Sequence, residues 1–93
     1  MKDRIVYVNG NYLNETEAKV SIFDRGFLFA DAVYEVTAVI DRKIIEWEGH
    51  IKRLKRSLNE LDMKVPMNPK NLLKIHSNLI KQNNLKEGLI YLQ

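Results

Sequence analysis

AVYEVTAVI, residues 32–40, is the longest stretch of this sequence that favours a single β-strand. Side chains on a strand point alternately to its two faces. One face therefore carries Ala32, Tyr34, Val36, Ala38 and Ile40, and the other carries Val33, Glu35, Thr37 and Val39. The alternation sends the phenol of Tyr34 and the carboxylate of Glu35 into different surroundings, although the two residues are neighbours in the chain.

A hairpin is predicted on the N-terminal side of this strand. Asn9-Gly10 separates the short runs 5–8 and 11–13, and both residues tolerate the positive φ of a type I′ turn. Residues 19–22 predict a further short extended piece, which breaks at Asp24-Arg25-Gly26.

On the C-terminal side, residues 41–43 predict a turn and residues 44–47 predict a returning hairpin strand. A helix is then predicted over about residues 48–61, because apolar side chains recur there at the helical period. The stripe consists of Trp47, Ile51, Leu54, Leu58 and Leu61.

A second helix is predicted from Pro69 to about Asn83. Asn68 suits the N-cap and Pro69 suits the first helical position. The predicted buried stripe consists of Leu72, Ile75 and Leu79, flanked by Leu73 and Ile80. Residues 89–92 predict a last strand.

The order of elements predicts the fold class. Strands, two helices and a final strand indicate an α+β fold, in which a mainly antiparallel sheet packs against two helices. The 93 residues contain no internal repeat or linker, and a chain of this length corresponds to one domain, here spanning residues 1–93.

Composition excludes several classes of function. The sequence has no cysteine, which rules out disulfides and thiolate chemistry and fits a cytoplasmic location. No run approaches the roughly 18 apolar residues of a membrane helix. The net charge is +3, and its densest cluster, Lys52 to Arg56, is more typical of a solvated helix face than of a nucleic-acid surface. We therefore expect neither a membrane nor a nucleic-acid partner.

Most catalytic motifs are missing from the sequence. No serine has a G-x-S-x-G context, the four glycines form no phosphate loop, and His50 and His76 lack the spacing of a metal site. His50 and Arg53 share a helix face; spacing alone leaves them as surface residues or as a guanidinium fork for a phosphate or carboxylate. Tyr34 is either a half-buried phenol reaching solvent or a donor into a pocket.

Three separated stretches carry a resemblance to a known family. VSIFDRGFLFADAVYEVTAV (20–39), HIKRLKRSLNEL (50–61) and GLIYLQ (88–93) resemble, in order, the N-terminal part of class IV pyridoxal-phosphate-dependent aminotransferases. Within that family the sequence is most similar to the D-amino-acid (D-alanine) aminotransferases. The resemblance covers essentially the whole chain.

The resemblance implies roles for individual residues. Arg53 matches the arginine of the family's H-x-x-R-L motif, which binds the cofactor phosphate, and His50 supports it on the cofactor side. Tyr34 matches the tyrosine of the V-Y-E motif, which contacts substrate, and Val36 lines the same pocket. Glu35 is expected to point the other way, towards sheet packing or a local ion pair.

Ala30 and Ala32 depart from the family pattern, which has glycine at both positions. Where such a position requires positive φ or a close backbone approach, alanine introduces strain of roughly 1–3 kcal/mol.

The resemblance also implies groups that these 93 residues do not supply. In the family, an arginine and a histidine that hold the substrate carboxylate, the Schiff-base lysine and the acidic partner of the pyridine nitrogen all lie beyond the region that this chain resembles. None of the ten lysines is predicted to lie in an enclosed site, so covalent cofactor attachment is not expected. We therefore expect a truncated small N-terminal domain without the large C-terminal domain.

Two functions remain open at this point. The chain is either the small domain of a D-amino-acid transaminase, which passes an amino group between a D-amino acid and a 2-oxo acid through pyridoxal phosphate, or a non-catalytic remnant that at most self-associates. The resemblance favours the first activity, whereas the missing lysine favours the second for this polypeptide acting alone. An exposed strand edge and apolar face, together with the dimeric family, predict a homodimer.

Overall fold

The computed structural model describes residues 2–93, so Met1 of the predicted domain lies outside the described residues. Its elements are β1 Ile5–Val8, β2 Asn11–Asn14, α1 Arg25–Phe29, β3 Glu35–Ile40, β4 Lys43–Ile44, α2 Trp47–Glu60, α3 Pro69–Gln82 and β5 Gly88–Leu92. The strands form an antiparallel pair, β1-β2, and an antiparallel three-stranded sheet in the order β4-β3-β5. The predicted α+β fold is confirmed.

The first hairpin has the geometry that Asn9-Gly10 predicts. Both turn residues have positive φ, 49° and 90°, as a type I′ turn requires. Tyr7 on β1 lies opposite Tyr12 on β2, and their rings meet edge to face with centroids 5.0 Å apart. The aromatic pair stabilises the hairpin across its two strands.

β3 is the central strand, and its two sides differ as the alternation predicts. Glu35, Thr37 and Val39 are 5%, 2% and 1% exposed, respectively. Val36 and Ile40 are exposed on the opposite side, as is Tyr34 immediately before the strand. The covered side is called the inner face below and the exposed side the outer face.

α2 and α3 cover the inner face of the sheet. One buried cluster joins the sheet to α3 and consists of Val39, Ile80 and Ile90. A second joins the two helices and consists of Leu54, Leu58 and Leu72. Burial of each such side chain contributes about 1.5–3 kcal/mol relative to exposure, so these clusters fix the position of α2 beside β3.

His76 occupies a core position that the predicted α3 stripe omitted. It is 3% exposed, its Nδ1–H donates to the carbonyl of Leu72 at 2.8 Å, and its ring meets Trp47 edge to face at 4.9 Å. Burial lowers the pKa of His76 because it disfavours the charged imidazolium. His76 is therefore a structural residue of the helical layer.

Several predicted boundaries differ from the structure. α2 begins one residue earlier and ends one residue earlier than expected, and α3 ends at Gln82. Leu61 is 46% exposed because it follows α2 as the C-cap residue. The returning strand predicted over residues 44–47 ends at Ile44, because Glu46 adopts a left-handed φ of 56° and Trp47 already begins α2.

The extended piece predicted over residues 19–22 is also wrong. Residues 22 and 23 form a turn, and Asp24 starts α1 instead. The Asp24 side chain accepts hydrogen bonds from the backbone N–H groups of Gly26 and Phe27 at 2.8 and 3.3 Å. This N-cap explains why a run that favours a strand becomes a short helix.

α1 ends at Ala30, which has φ 54° and ψ 27°. Ala30 therefore occupies the left-handed conformation that favours glycine, whereas Ala32 is not among the described residues with positive φ. The left-handed cap redirects the chain, so β3 begins at Glu35 rather than at the predicted Ala32.

The segment around α1 exposes large apolar side chains. Exposure ranges from 48% to 76% for Ile22, Phe23, Phe27, Leu28 and Phe29. We call residues 22–29 the α1 segment. Exposed apolar groups of this density are typical of surfaces that contact another polypeptide. Within residues 2–93, every helix is too short or too polar to span a lipid bilayer.

Candidate cofactor and substrate site

A buried carboxylate of β3 meets an arginine of α2. Glu35 is the first residue of β3 and faces the helices. Arg53 donates to it from Nε to Oε2 and from Nη2 to Oε1, both at 2.8 Å. This is the bidentate arrangement in which the planar guanidinium matches a carboxylate. Of the two surroundings expected for Glu35, the structure has the ion pair.

His50 binds the same carboxylate from one turn earlier on α2. Its Nδ1 lies 2.8 Å from Glu35 Oε1, and because an ionised carboxylate only accepts, Nδ1 carries the proton. Nδ1 also lies 3.4 Å from Arg53 Nη2, but both atoms are donors, so that contact is not a hydrogen bond. Glu35 therefore holds both side chains predicted for the cofactor side.

The ion pair remains charged at neutral pH. Hydrogen bonds from Arg53 lower the pKa of Glu35; burial opposes this effect, and the hydrogen bond from His50 adds to it. The same hydrogen bonds raise the pKa of Arg53, with a smaller contribution from Tyr34. Each partner thus stabilises the ionised form of the other.

Arg53 keeps donors for a further anion. Its Nη1 makes no hydrogen bond within residues 2–93, and 56% of its side chain is exposed. One arm of the guanidinium is therefore fixed by Glu35, while the other points out of the pair. A phosphate oxygen is a suitable acceptor for that free arm.

Tyr34 and Val36 lie together on the outer face, as predicted. Tyr34 is 64% exposed and Val36 is 37% exposed. The Tyr34 ring stacks on Tyr91 of β5, with centroids 5.9 Å apart and an interplanar angle of 18°. Val36 lies directly opposite Tyr91 in the β3–β5 register. These three residues form one continuous surface beside the ion pair.

Tyr91 is the residue of this surface that the sequence analysis missed. Its hydroxyl donates to Gln93 Oε1 at 2.7 Å, whereas the Tyr34 hydroxyl makes no hydrogen bond within residues 2–93. The available signal was the alternation in β5, which puts Leu89 and Tyr91 on one face. The position of Tyr91 beside Tyr34 could not be identified without the strand register.

Arg53, Tyr34 and Val36 are partly exposed, whereas the His50 side chain is only 17% exposed. One groove of about 680 Å³ lies between β1, the C-terminal end of α3 and β5, and a second of about 380 Å³ lies between the starts of α2 and α3. Neither groove is lined by Arg53, His50, Tyr34 or Val36. Arg53 lies on the inner side of β3, on Glu35, and Tyr34 lies on the outer side.

The ten lysines are all exposed. An amine that forms a Schiff base is activated by burial or by cationic neighbours in a closed site. Among the described residues no lysine is buried.

Comparison with known proteins identifies the family. The family described as amino-transferase class IV matches residues 32–93. A D-alanine aminotransferase of Staphylococcus epidermidis is 36% identical over 88 residues, which cover 95% of this chain and 31% of the relative. A D-alanine aminotransferase of Listeria monocytogenes is 35% identical over 88 residues, covering 95% of this chain and 30% of the relative.

Solved structures share the fold. A branched-chain amino acid aminotransferase of T.th. with pyridoxamine 5′-phosphate has a TM-score of 0.87 and 22% identity, covering 98% of this chain and 31% of that one. The branched-chain aminotransferase of Thermoproteus uzoniensis with norvaline has a TM-score of 0.80 and 24% identity, covering 97% of this chain and 31% of that one. The chain thus spans just under a third of the relatives it matches, and it belongs to the class IV aminotransferase family.

Proposed function

We propose that this chain provides the phosphate-binding and substrate-facing part of a transaminase site that uses pyridoxal phosphate. The reaction passes an amino group between a D-amino acid and a 2-oxo acid. The observation that carries the proposal is the Glu35–Arg53 pair, which fixes the guanidinium and leaves Nη1 free. Family membership supports the cofactor, which supplies an electron sink for the reaction when bound.

Arg53 binds the cofactor phosphate with its free arm. Glu35 already balances the positive charge of Arg53. Arg53 therefore binds the phosphate through positioned N–H donors more than through net electrostatic attraction. His50 holds Glu35 from the other side at 2.8 Å and thereby limits the rotation of the carboxylate. Rigid support of this kind keeps a binding group within the narrow range of geometries that a site requires.

Tyr34 orients the substrate on the outer face. Its ring is supported by Tyr91, and its hydroxyl is free to donate to a substrate carboxylate or carbonyl. Val36 adds an apolar wall beside it. A site with one free phenol and one small aliphatic neighbour suits a compact amino acid.

The D-amino acid substrate is supported by the relatives. Proteins named D-alanine aminotransferase are 33–36% identical to this chain over 88 residues. The branched-chain enzymes are 22–24% identical, and their likeness supports the fold alone.

A binding experiment tests the phosphate site. The chain is titrated with pyridoxal phosphate and, separately, with pyridoxal, and binding is followed by the fluorescence of Trp47, the single tryptophan. We expect tighter binding of the phosphorylated compound. Arg53→Gln should raise its Kd by about tenfold or more, since a hydrogen bond to a charged group is lost, and should leave the Kd of pyridoxal unchanged.

Arg56→Gln is the matched control. Arg56 lies on the same helix, is exposed and carries the same charge, but it makes no hydrogen bond to Glu35. Its Kd should stay within twofold of the parent chain. An equal loss in both variants would show non-specific attraction of the phosphate and would contradict the role of Arg53.

Exposure of all ten lysines favours a second function, that of a non-catalytic domain. Under this proposal the chain alone binds the phosphate group but forms no covalent bond with the cofactor. Borohydride treatment with pyridoxal phosphate, followed by mass spectrometry, should then give no adduct concentrated at one lysine. A stoichiometric adduct at a single lysine would contradict the non-catalytic function.

We also propose that the chain forms a homodimer. The exposed side chains of the α1 segment support this assembly. Sedimentation should show a dimer that Phe27→Lys and Phe29→Lys dissociate; a monomer at all concentrations of the parent chain would contradict it.

A further inference from the structure

We propose that Met63 and Met67 form an oxidation site, at which a hydroperoxide converts both thioethers to sulfoxides and loosens the junction between α2 and α3. Both residues lie in the connector between the two helices, and both are half-buried. Both pack against Leu54, Leu58 and Leu72, which we call the leucine cluster. This modification site is independent of the proposed transaminase function.

The end of α2 holds Met63 on the leucine cluster. Asp62 has a left-handed φ of 54°. Its N–H donates to the carbonyl of Asn59 at 3.1 Å, and the N–H of Met63 donates to the carbonyl of Leu58 at 2.8 Å. These two bonds form a Schellman motif, in which the residue after the left-handed one makes an apolar contact with the last turn of the helix. Met63 occupies that position and makes that contact.

Met67 occupies the equivalent position at the start of α3. Asn68 is the N-cap residue, and its side chain accepts a hydrogen bond from the N–H of Asn71 at 2.8 Å. In a hydrophobic staple, the residue before the N-cap packs against the fourth residue of the helix. Here these residues are Met67 and Leu72, and Met67 packs against the cluster to which Leu72 belongs. A methionine therefore holds each of the two helix ends on the same cluster.

A thioether in this position reacts with a hydroperoxide without a catalytic partner. With hydrogen peroxide, the lone pair of sulfur attacks one oxygen, so that an S–O bond forms and the O–O bond breaks. The hydroxide that leaves takes the proton of the transferred oxygen and departs as water. Sulfur is thus oxidised by two electrons and the peroxide is reduced. Susceptibility follows exposure, which both methionines retain, and the sequence has no cysteine to compete for the oxidant.

The sulfoxides change the junction because their oxygens require hydrogen bonds. Oxidation turns a flexible apolar side chain into a polar, chiral one, and a polar group buried without a hydrogen bond is costly. The leucine side chains offer no donor, so each sulfoxide moves towards water and uncovers the cluster. α2 and α3 then lose part of the contact between them. Sulfoxide reductases restore the thioether, so the change is a reversible redox switch of the helical layer.

Oxidation of the full chain with hydrogen peroxide tests the proposal. Mass spectrometry of proteolytic fragments should show one added oxygen on each of Met63 and Met67. In the folded chain this should occur within about tenfold of the rate in the urea-unfolded chain. Urea denaturation followed by circular dichroism should show an unfolding equilibrium constant raised by about tenfold or more. The two stereospecific methionine sulfoxide reductases together should restore the original constant.

Leucine variants separate the two methionines. Met63→Leu and Met67→Leu remove the sulfur and nearly keep the volume, so each should change stability little before oxidation. After peroxide treatment, each single variant should show the shift of its remaining methionine, and the double variant should show none. Leu61→Met in the double variant is the matched control, because Leu61 is 46% exposed and lies outside the leucine cluster. It should gain oxygen and leave the unfolding constant unchanged.

Three outcomes would overturn the proposal. In the first, neither Met63 nor Met67 gains oxygen in the folded chain. In the second, both gain oxygen and the unfolding constant stays the same. In the third, peroxide shifts the double leucine variant as much as the parent chain, which would assign the damage to other residues. The first two are measured on the parent chain, so they decide the proposal even where a leucine variant does not fold.

Discussion

The inner and outer faces of β3 differ in burial and in the chemistry they present. On the inner face Thr37 and Val39 are at most 2% exposed, and the one charged group, Glu35, is bound by two side chains of α2. On the outer face Tyr34 and Ile40 are more than half exposed. A single strand therefore carries the core of the domain on one side and a surface available to ligands on the other.

This difference shows how the position of Arg53 depends on the core. Arg53 is held beside Glu35 because Leu54 and Leu58, its neighbours on α2, are buried against Leu72 of α3. Within residues 2–93 the side chains of Tyr34, Val36 and Ile40 on the outer face stay exposed. Because side chains alternate along the strand, one set of residues packs in the core and the other set stays exposed.

The largest expected effect comes from placing the same charge on each face. Val39→Asp buries a carboxylate without a partner and should lower the free energy of unfolding by about 3–5 kcal/mol. Ile40→Asp changes the next residue, which is 53% exposed. It should lower the free energy of unfolding by about 1 kcal/mol or less. Urea denaturation measures both values. Similar losses in the two variants would show that the outer face is also covered.

Glu35 makes the inner face sensitive to acid. Its pKa is lowered in the folded chain, so its contribution to stability is complete above the ordinary value of about 4.5 and is lost as the pH falls through the lowered value. Glu35→Gln should be less stable than the parent chain at neutral pH, and the difference should shrink below pH 4.5. Urea denaturation at several pH values measures it; a difference independent of pH would rule out the ion pair as its cause.

The sequence was sufficient to predict the elements that depend on local chemistry. Asn9-Gly10 predicted the first hairpin, and Asn68-Pro69 predicted the start of α3, because the turn and the helix cap are each set by adjacent residues. The alternation of residues 32–40 also predicted which side of the strand carries Tyr34 and which carries Glu35. These inferences need only the chain itself and its periodicity.

Other features depend on contacts between distant residues. His76 lies four residues from both Leu72 and Ile80, so the helical period puts it on the buried side of α3. That a polar ring is accommodated there, by Trp47 and the carbonyl of Leu72, follows only from the tertiary contacts. The pairing of Tyr34 with Tyr91 follows from a register that joins residues far apart in the chain. The α1 helix was missed because the Asp24 cap overrides the strand preference of an apolar run. The roles of Arg53 and His50 in cofactor binding remain predictions.

A smaller effect on stability is expected at Ala30, the residue that ends α1. Ala30 has φ 54°, so Ala30→Gly should raise the free energy of unfolding by about 0.5–1 kcal/mol. This value is the backbone strain relieved in the folded state minus the conformational entropy that glycine adds to the unfolded chain. Ala32 lies outside the left-handed region, and Ala32→Gly should lower stability instead. Thermal denaturation measures both, and a gain in stability at both positions would refute the conformational explanation.

The smallest effect tests whether the outer face is an organised surface. Tyr34 and Tyr91 stack at 5.9 Å while both rings remain exposed, so a double-mutant cycle with Tyr34→Ala and Tyr91→Ala should give a coupling energy of about 0.5 kcal/mol. Tyr12 lies on the other sheet and serves as the control, since Tyr34→Ala and Tyr12→Ala should be additive. Additivity in both cycles would mean that Tyr91 does not hold the Tyr34 ring. The outer face would then gain its order only when it is covered by a ligand or by another polypeptide, because its side chains are exposed within residues 2–93.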